Sequence, residues 1–194
     1  MLGLAAVTNR KKPGGPVTRK ISRTLEPTGI ENFFDDDEII VSKTDTTGRI
    51  TYANDVFMRI AGYSEAELVG APHSIVRHPD MPRCVFKLLW DTISAKQEIF
   101  AYVVNLARNG NHYWVFAHVT PSLDGAGNIL GYHSSRRTPD RQVLDGTIIP
   151  LYQALLAEEN RHGDRKAGMQ ASHQMLVNLL NEKGVGYDEL IFSL

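Results

Sequence analysis

The chain has 194 residues, 42% of them hydrophobic, and a formal net charge of −1. That length holds one medium domain with appendages, and the balanced charge excludes a global electrostatic drive toward nucleic acid or an anionic membrane surface. A single cysteine, Cys84, excludes an intramolecular disulfide and suits a reducing compartment.

Residues 1–30 hold Arg10, Lys11, Lys12, Arg19, Lys20 and Arg23 around Pro13, Gly14, Gly15 and Pro16, and an acidic run, Asp35, Asp36, Asp37 and Glu38, follows. This composition predicts a disordered arm over residues 1–37. The apolar opening Met1–Val7 precedes its positive charges and falls far short of the roughly 20 residues of a spanning helix, so neither a signal peptide nor membrane insertion is expected. Glu38–Thr44 and Arg49–Ala53 are β-branched runs around a Thr-Thr-Gly turn and read as a hairpin. Asp55–Gly62 reads as a helix, and Ser64 with Glu67 forms a capping box for a short helix ending at Gly70.

The segment Ile75-Val76-Arg77-His78-Pro79-Asp80-Met81-Pro82 then crowds a guanidinium, an imidazole and a carboxylate between prolines. Pro79 biases His78 toward extended backbone, Asp80 lies where an N-cap belongs, and Pro82 suits the first turn of a helix running to about Ser94. Glu98–Ala107, His112–Leu123 and Asn128–Thr138 read as three strands, with turns at Asn109-Gly110 and Gly125-Ala126-Gly127. Two helical stripes follow, one on Ile148, Leu151, Tyr152, Leu155 and Leu156, the other on Met169, His173, Leu176, Leu179 and Leu180. They place a helical extension over residues 141–194, in which Tyr187–Leu194 shows no repeat, behind an α+β unit over residues 38–140.

Taken in order, Thr44–Asn54, Ala61-Gly62-Tyr63-Ser64, Leu68-Val69-Gly70, Arg108–Val115 and Gly131–Arg136 resemble a PAS domain. The Arg77-His78-Pro79-Asp80-Met81-Pro82 element, the Asn109–Val115 turn and strand, and Pro150–Leu155 resemble the aerotaxis-receptor branch of that family. The resemblance covers about residues 38–156. It implies a five-stranded antiparallel sheet whose concave face, with short helices, encloses a pocket. It also implies FAD held without a covalent bond and a redox or oxygen signal passed on by protein contact. The expected partner is a second copy of the chain or a chemoreceptor-type signalling protein. Aerotaxis receptors carry a membrane anchor and a long signalling coil, and this chain reads as the sensor module without them, with a cytoplasmic location expected.

The family's ligand-associated positions fall on Asn54, Arg77, His78, Asp80, Trp90 and Asn105. Arg77 and His78 would bring positive charge to the ring or pyrophosphate, and Asn105 would exchange hydrogen bonds with a ring amide through both its donor and its acceptor. Strand alternation puts Ile99, Ala101, Val103, Asn105 and Ala107 on one face, so Asn105 is a polar residue on an apolar face, and a buried amide without a partner costs about 1–3 kcal/mol. At Ile99 the chain departs from the family, whose flavin domains usually open this strand with tryptophan; isoleucine walls a ring but cannot stack on it. Two rival classes stay open, a ligand-free PAS interaction module and a haem-binding gas sensor with His73, His78, His112, His118 or His133 as axial ligand. A flavin–cysteine photoreceptor is rejected, because Cys84 lies in Pro-Arg-Cys-Val-Phe rather than Asn-Cys-Arg-Phe. No catalytic constellation, phosphate loop or paired-histidine metal spacing indicates an enzyme.

Overall fold

Residues 25–194 are described by a computed structural model, so the basic cluster at Arg10–Arg23 and the apolar opening lie outside the described residues. Strands β1 (Ile40–Thr44) and β2 (Ile50–Ala53) form the expected hairpin. The Asp45 carboxylate accepts from the backbone N–H groups of Thr47 and Arg49, an Asx-type turn that positions Gly48 in the left-handed region at φ 78°. Helices α1 (Asp55–Ala61) and α2 (Glu65–Leu68) follow, the second with the predicted Ser64/Glu67 capping box. A 3₁₀ turn (His73–Val76) leads to α3 (Arg83–Ser94). Strands β3 (Ile99–Leu106), β4 (His112–Leu123) and β5 (Ile129–Arg137) complete a five-stranded antiparallel sheet of order β2-β1-β5-β4-β3.

Register decides which side chains share a face. Asn105 pairs with Tyr113, Val103 with Val115, Ala117 with Arg136, Val119 with Ser134 and Ser42 with Ser134. These residues therefore point to the side on which α1–α3 lie, while Phe100, Tyr102, Trp114 and Phe116 point to the other. That second face is covered by the chain's C-terminal part. Helix α4 (Arg141–Val143), capped by Asp140, continues through a π turn (Leu144–Ile148) into α5 (Ile149–Asn160). Pro150 accounts for the turn, since it has no N–H to donate and its ring crowds the carbonyl one turn back. Tyr152 donates to the Tyr102 carbonyl at 2.6 Å, which closes part of the free edge of β3.

Helix α6 (Arg165–Lys183) returns antiparallel along α5, and residues 187–194, for which no repeat was visible, form α7 (Tyr187–Ser193), whose Phe192 packs on Phe100 and Phe116. Leu144, Ile148, Tyr152, Leu155 and Leu176 belong to the same buried core as Ile40, Phe57 and Val115. The helical extension is thus part of the domain's core rather than an appendage to it.

Two expectations are corrected. Asp80 does not cap α3: the N-cap is Pro82 and the Asp80 side chain is exposed. The cap comes from a distance, because the buried Glu159 carboxylate on α5 accepts from the Cys84 N–H at 3.0 Å, from Arg83 Nε at 2.7 Å and from Ser172 Oγ on α6 at 3.0 Å. A carboxylate there meets both an orphan donor and the positive end of the helix dipole. Second, the disorder expected through residue 37 does not hold for residues 28–32, which are hydrogen-bonded to the start of β4 through Thr28, Ile30 and Asn32.

At the α5–α6 crossing a Cβ on Gly168 would lie 2.3 Å from the Glu159 carbonyl oxygen, whereas one on Gly163 would meet nothing. Gly168→Ala is therefore expected to destabilise the protein by about 1–3 kcal/mol through forced separation of the two helices, with Gly163→Ala near neutral. Thermal denaturation of the two variants checks this.

Candidate ligand-binding site

Between the inner face of the sheet and helix α3 lies a cavity of about 300 Å³. Phe86, Leu89, Trp90 and Ile93 of α3 wall one side, and Val103, Ala117 and Val119 wall the sheet side. Their spacing explains this: the four α3 residues fall on one helical face, and the three strand residues share the parity set by register. Trp90 packs edge-to-face on Tyr132 at 5.4 Å, and its indole lies against Gly48, where a Cβ would be 3.0 Å from the ring.

The polar lining is one-sided. No Asp or Glu among the described residues lines the cavity, which is instead bordered by Arg77, Asn105, Arg136 and His73 with Ser42, Thr44, Thr47, Ser74, Tyr132 and Ser134. Asn105 is buried and its Nδ2 has no hydrogen-bond partner among the described residues. Arg136 is 2% exposed, and its Nε and Nη1 are likewise without partners. Its remaining nitrogen, Nη2, donates to Ser42 Oγ, and its plane stacks on Phe57 with the guanidinium carbon 4.5 Å from the ring centre. Ser42 Oγ lies 3.1 Å from His73 Nε2. A hydroxyl that accepts from arginine keeps a second lone pair and its own proton, so its role toward Nε2 follows the His73 tautomer.

Burial, and secondarily the Arg136 charge, push the His73 imidazole down to about 3. Burial lowers the Arg136 guanidinium to about 10, so it stays charged at neutral pH, and it raises the Tyr113 hydroxyl, which stays neutral.

The sequence-predicted residues divide into two groups. Arg77, Trp90 and Asn105 line the cavity together. Arg77 and Asn105 are also joined by a backbone bridge across the edge of β3, while the Arg77 guanidinium stacks on Phe86 at 4.0 Å and remains exposed. The other four have different work.

Asn54 caps α1: its Oδ1 accepts from Phe57 and Val41 N–H and its Nδ2 donates to the Ile39 carbonyl, which commits its oxygen and one of its two N–H donors to the fold, and it does not line the cavity. His78 is buried outside the cavity, its Nδ1 accepts from Asp80 N–H at 3.1 Å, and burial lowers its pKa, so it does not supply the positive charge expected of it. The Asp80 side chain is exposed outside the cavity. Ile99 is fully buried with Ile93, Val119 and Tyr132, one layer behind the cavity wall. Of the five histidines weighed as axial ligands, His73 and His133 border the cavity, His133 from a strand position whose parity is opposite to that of Tyr132 and Ser134, and His78, His112 and His118 do not border it.

Sequence reasoning missed Arg136 and Ser42, and weighed His73 only as a haem ligand. Arg136 stands beside Arg137 in one strand, and only the parity that runs from Tyr132 through Ser134 marks which arginine turns inward.

With this geometry in place, the pattern of the PAS fold matches residues 38–133. Residues 38–133 form a PAS domain. The chain is 42% identical over 123 residues to the aerotaxis receptor of Escherichia coli K12, covering 63% of this chain and 24% of that protein. It is 32% identical over 99 residues to the nitrogen fixation regulatory protein of Klebsiella pneumoniae, covering 51% of this chain and 20% of that one. The chain thus spans a quarter or less of the length of these relatives. Among solved structures, an RNA-binding light-oxygen-voltage receptor superposes with a TM-score of 0.50 at 20% identity, over 63% of this chain and 35% of that one, a likeness of fold alone. No helix of the described residues is long and apolar enough to cross a membrane.

The half-buried His73 of the PAS domain carries a pH signature. In the unfolded chain His73 takes up a proton below about pH 6.5, while in the folded protein it does so only near 3. The unfolded state then binds more protons, so stability falls as pH drops from about 6.5. Denaturant unfolding between pH 5 and 8 is expected to show this loss, and His73→Gln to flatten it. His78 and His133, shifted in the same direction by burial, account for the remaining slope.

Proposed function

We propose that this protein is a redox sensor of the aerotaxis type. Its PAS cavity holds the ring of FAD non-covalently, and its C-terminal helices pass the ring's redox status to a partner, either a second copy of the chain or a chemoreceptor-type signalling protein. The observation that carries the reading is Asn105, whose buried Nδ2 lacks a partner in a cavity walled by apolar and aromatic side chains and free of acids among the described residues. Such an amide costs about 1–3 kcal/mol if left unpaired. A flavin ring answers it, because the ring's polar edge alternates carbonyl acceptors with an N–H donor and Asn105 offers one of each.

A volume of about 300 Å³ is at the low end for ligand sites and suits a ring system rather than a whole dinucleotide. The remainder of FAD then leaves through the mouth, where Arg77 is exposed on Phe86 and available to phosphate. Trp90 and Tyr132 supply the aromatic surface that Ile99 does not. When bound, FAD supplies reversible electron uptake; the protein supplies position, exclusion of water and charge. The similarity to the Escherichia coli aerotaxis receptor supports the same reading.

Helix α3 carries any change outward. Its inner face walls the cavity, and its first turn is held by Glu159 of α5, which also engages Ser172 of α6. A change of charge in the cavity that displaces α3 therefore acts on the helical hairpin through one carboxylate, as a two-state relay requires of its coupling contact.

Purified protein supplied with riboflavin is expected to show a flavin absorption spectrum and to release FAD on denaturation. A haem spectrum, or a colourless protein after reconstitution with FAD, overturns the reading. Asn105→Ala should weaken FAD binding about tenfold, the loss of roughly 1.4 kcal/mol from one hydrogen-bonding amide, as measured by equilibrium ultrafiltration.

For the relay, hydrogen exchange over residues 141–183 is expected to differ between the oxidised and reduced states of the wild type. In Glu159→Ala that difference should vanish while the flavin stays bound. Equal protection in both states of the wild type would reduce these helices to packing.

A further inference from the structure

A buried charge is tolerated in a protein when it is paired, and Arg136 is not. It forms no ion pair among the described residues, one of its three nitrogens is engaged by Ser42, and the other two face no acceptor. The groups around it offer no internal remedy. Ser42 already accepts from Nη2 and is shared with His73, Tyr113 stays neutral, and Phe57 occupies one face of the guanidinium. The unpartnered donors of the cavity, Arg136 Nε, Arg136 Nη1 and Asn105 Nδ2, thus lie in one acid-free enclosure.

We propose that Arg136 is the specificity-determining residue of the cavity, selecting a ligand whose buried edge carries negative charge. Arg77, exposed at the mouth, then binds but does not select. The inference rests on the flavin reading only for the identity of the ligand. The chemistry it names, an anionic acceptor edge that takes free N–H donors of a buried guanidinium, belongs equally to a reduced flavin ring and to the carboxylate of a small organic acid. On reduction, two electrons from the reductant and one proton from water leave the ring with one negative charge, so Arg136 favours reduced over oxidised flavin.

The test uses the full chain and its Arg136→Met, Arg136→Lys and Arg137→Met variants, each checked for folding by circular dichroism. Arg137 is the adjacent arginine on the opposite, exposed side of β5. Affinities for oxidised FAD and for dithionite-reduced FAD are measured anaerobically. Arg136→Met is expected to lose at least tenfold more affinity for the reduced than for the oxidised form, equivalent to lowering a two-electron potential by ~30 mV. Arg136→Lys should restore part of it, and Arg137→Met should match the wild type. FAD bound by Arg136→Met with an unchanged ratio of affinities overturns the proposal.

If the wild type takes up no FAD, the flavin reading fails separately, and Arg136 is judged by thermal shift of the ligand-free chain with malonate and with its neutral analogue malonamide. Stabilisation by malonate alone, lost in Arg136→Met, sustains the anion-selecting role and assigns it to an organic acid. Equal effects of the two compounds, or none, overturn it. The same malonate and malonamide comparison on the wild type decides the matter if Arg136→Met does not fold.

Discussion

One carboxylate ties the first turn of α3 to both helices of the C-terminal hairpin. Glu159 leaves a helix on one side of the sheet's edge and ends against the first turn of α3 on the other, where it accepts from the Cys84 amide, Arg83 and Ser172. Because Pro82 offers no side-chain cap, α3 depends on this distant acceptor for the orphan Cys84 N–H. Helix α3 in turn walls the cavity, so the seat of the C-terminal helices and the shape of the cavity are set by a shared contact. The close approach at Gly168 belongs to the same arrangement, since it lets α6 bring Ser172 to the carboxylate.

The cavity is defined less by its size than by what it lacks. Its walls are apolar, its free buried valences are donors, and among the described residues no carboxylate answers them. A buried guanidinium without a counter-ion is costly in a folded protein, and the sheet tolerates it through a cation–π contact with Phe57 and one hydrogen bond to Ser42. That residual electrostatic demand is the ground on which the proposed ligand-binding role is preferred to one in which sheet and helices serve only to dock. It also moves the centre of positive charge from Arg77 and His78, at and outside the rim, to Arg136 at the buried end.

Much of the architecture was legible from local chemistry. The capping box at Ser64 and Glu67, the turns at Gly48 and Gly110, and the helix stop at Gly184 are each determined by residues within a few positions of one another. The same holds for the alternation that put Asn105 on an apolar face. These signals give five strands and their order of appearance, and the Arg77–Pro82 element carried the resemblance to a PAS domain. Residues 187–194 escaped because α7 is stabilised by packing Phe192 on Phe100 and Phe116, not by a periodic pattern of its own.

By itself, then, the sequence determined the element types, the family and three of the cavity's residues, Arg77, Trp90 and Asn105. Only the tertiary structure decided that Asn54 is consumed as a helix cap, that His78 is buried neutral outside the cavity, and that Asp80 is a bystander while Glu159 caps α3. The choice of Arg136 over Arg137 was likewise settled by strand register, through Ile40 and Ala117 on the two neighbouring strands. Caps, turns and alternation are interactions between near neighbours in the chain. Which polar group is left unpaired in a cavity depends on every element that borders it, and those elements are brought together only by folding.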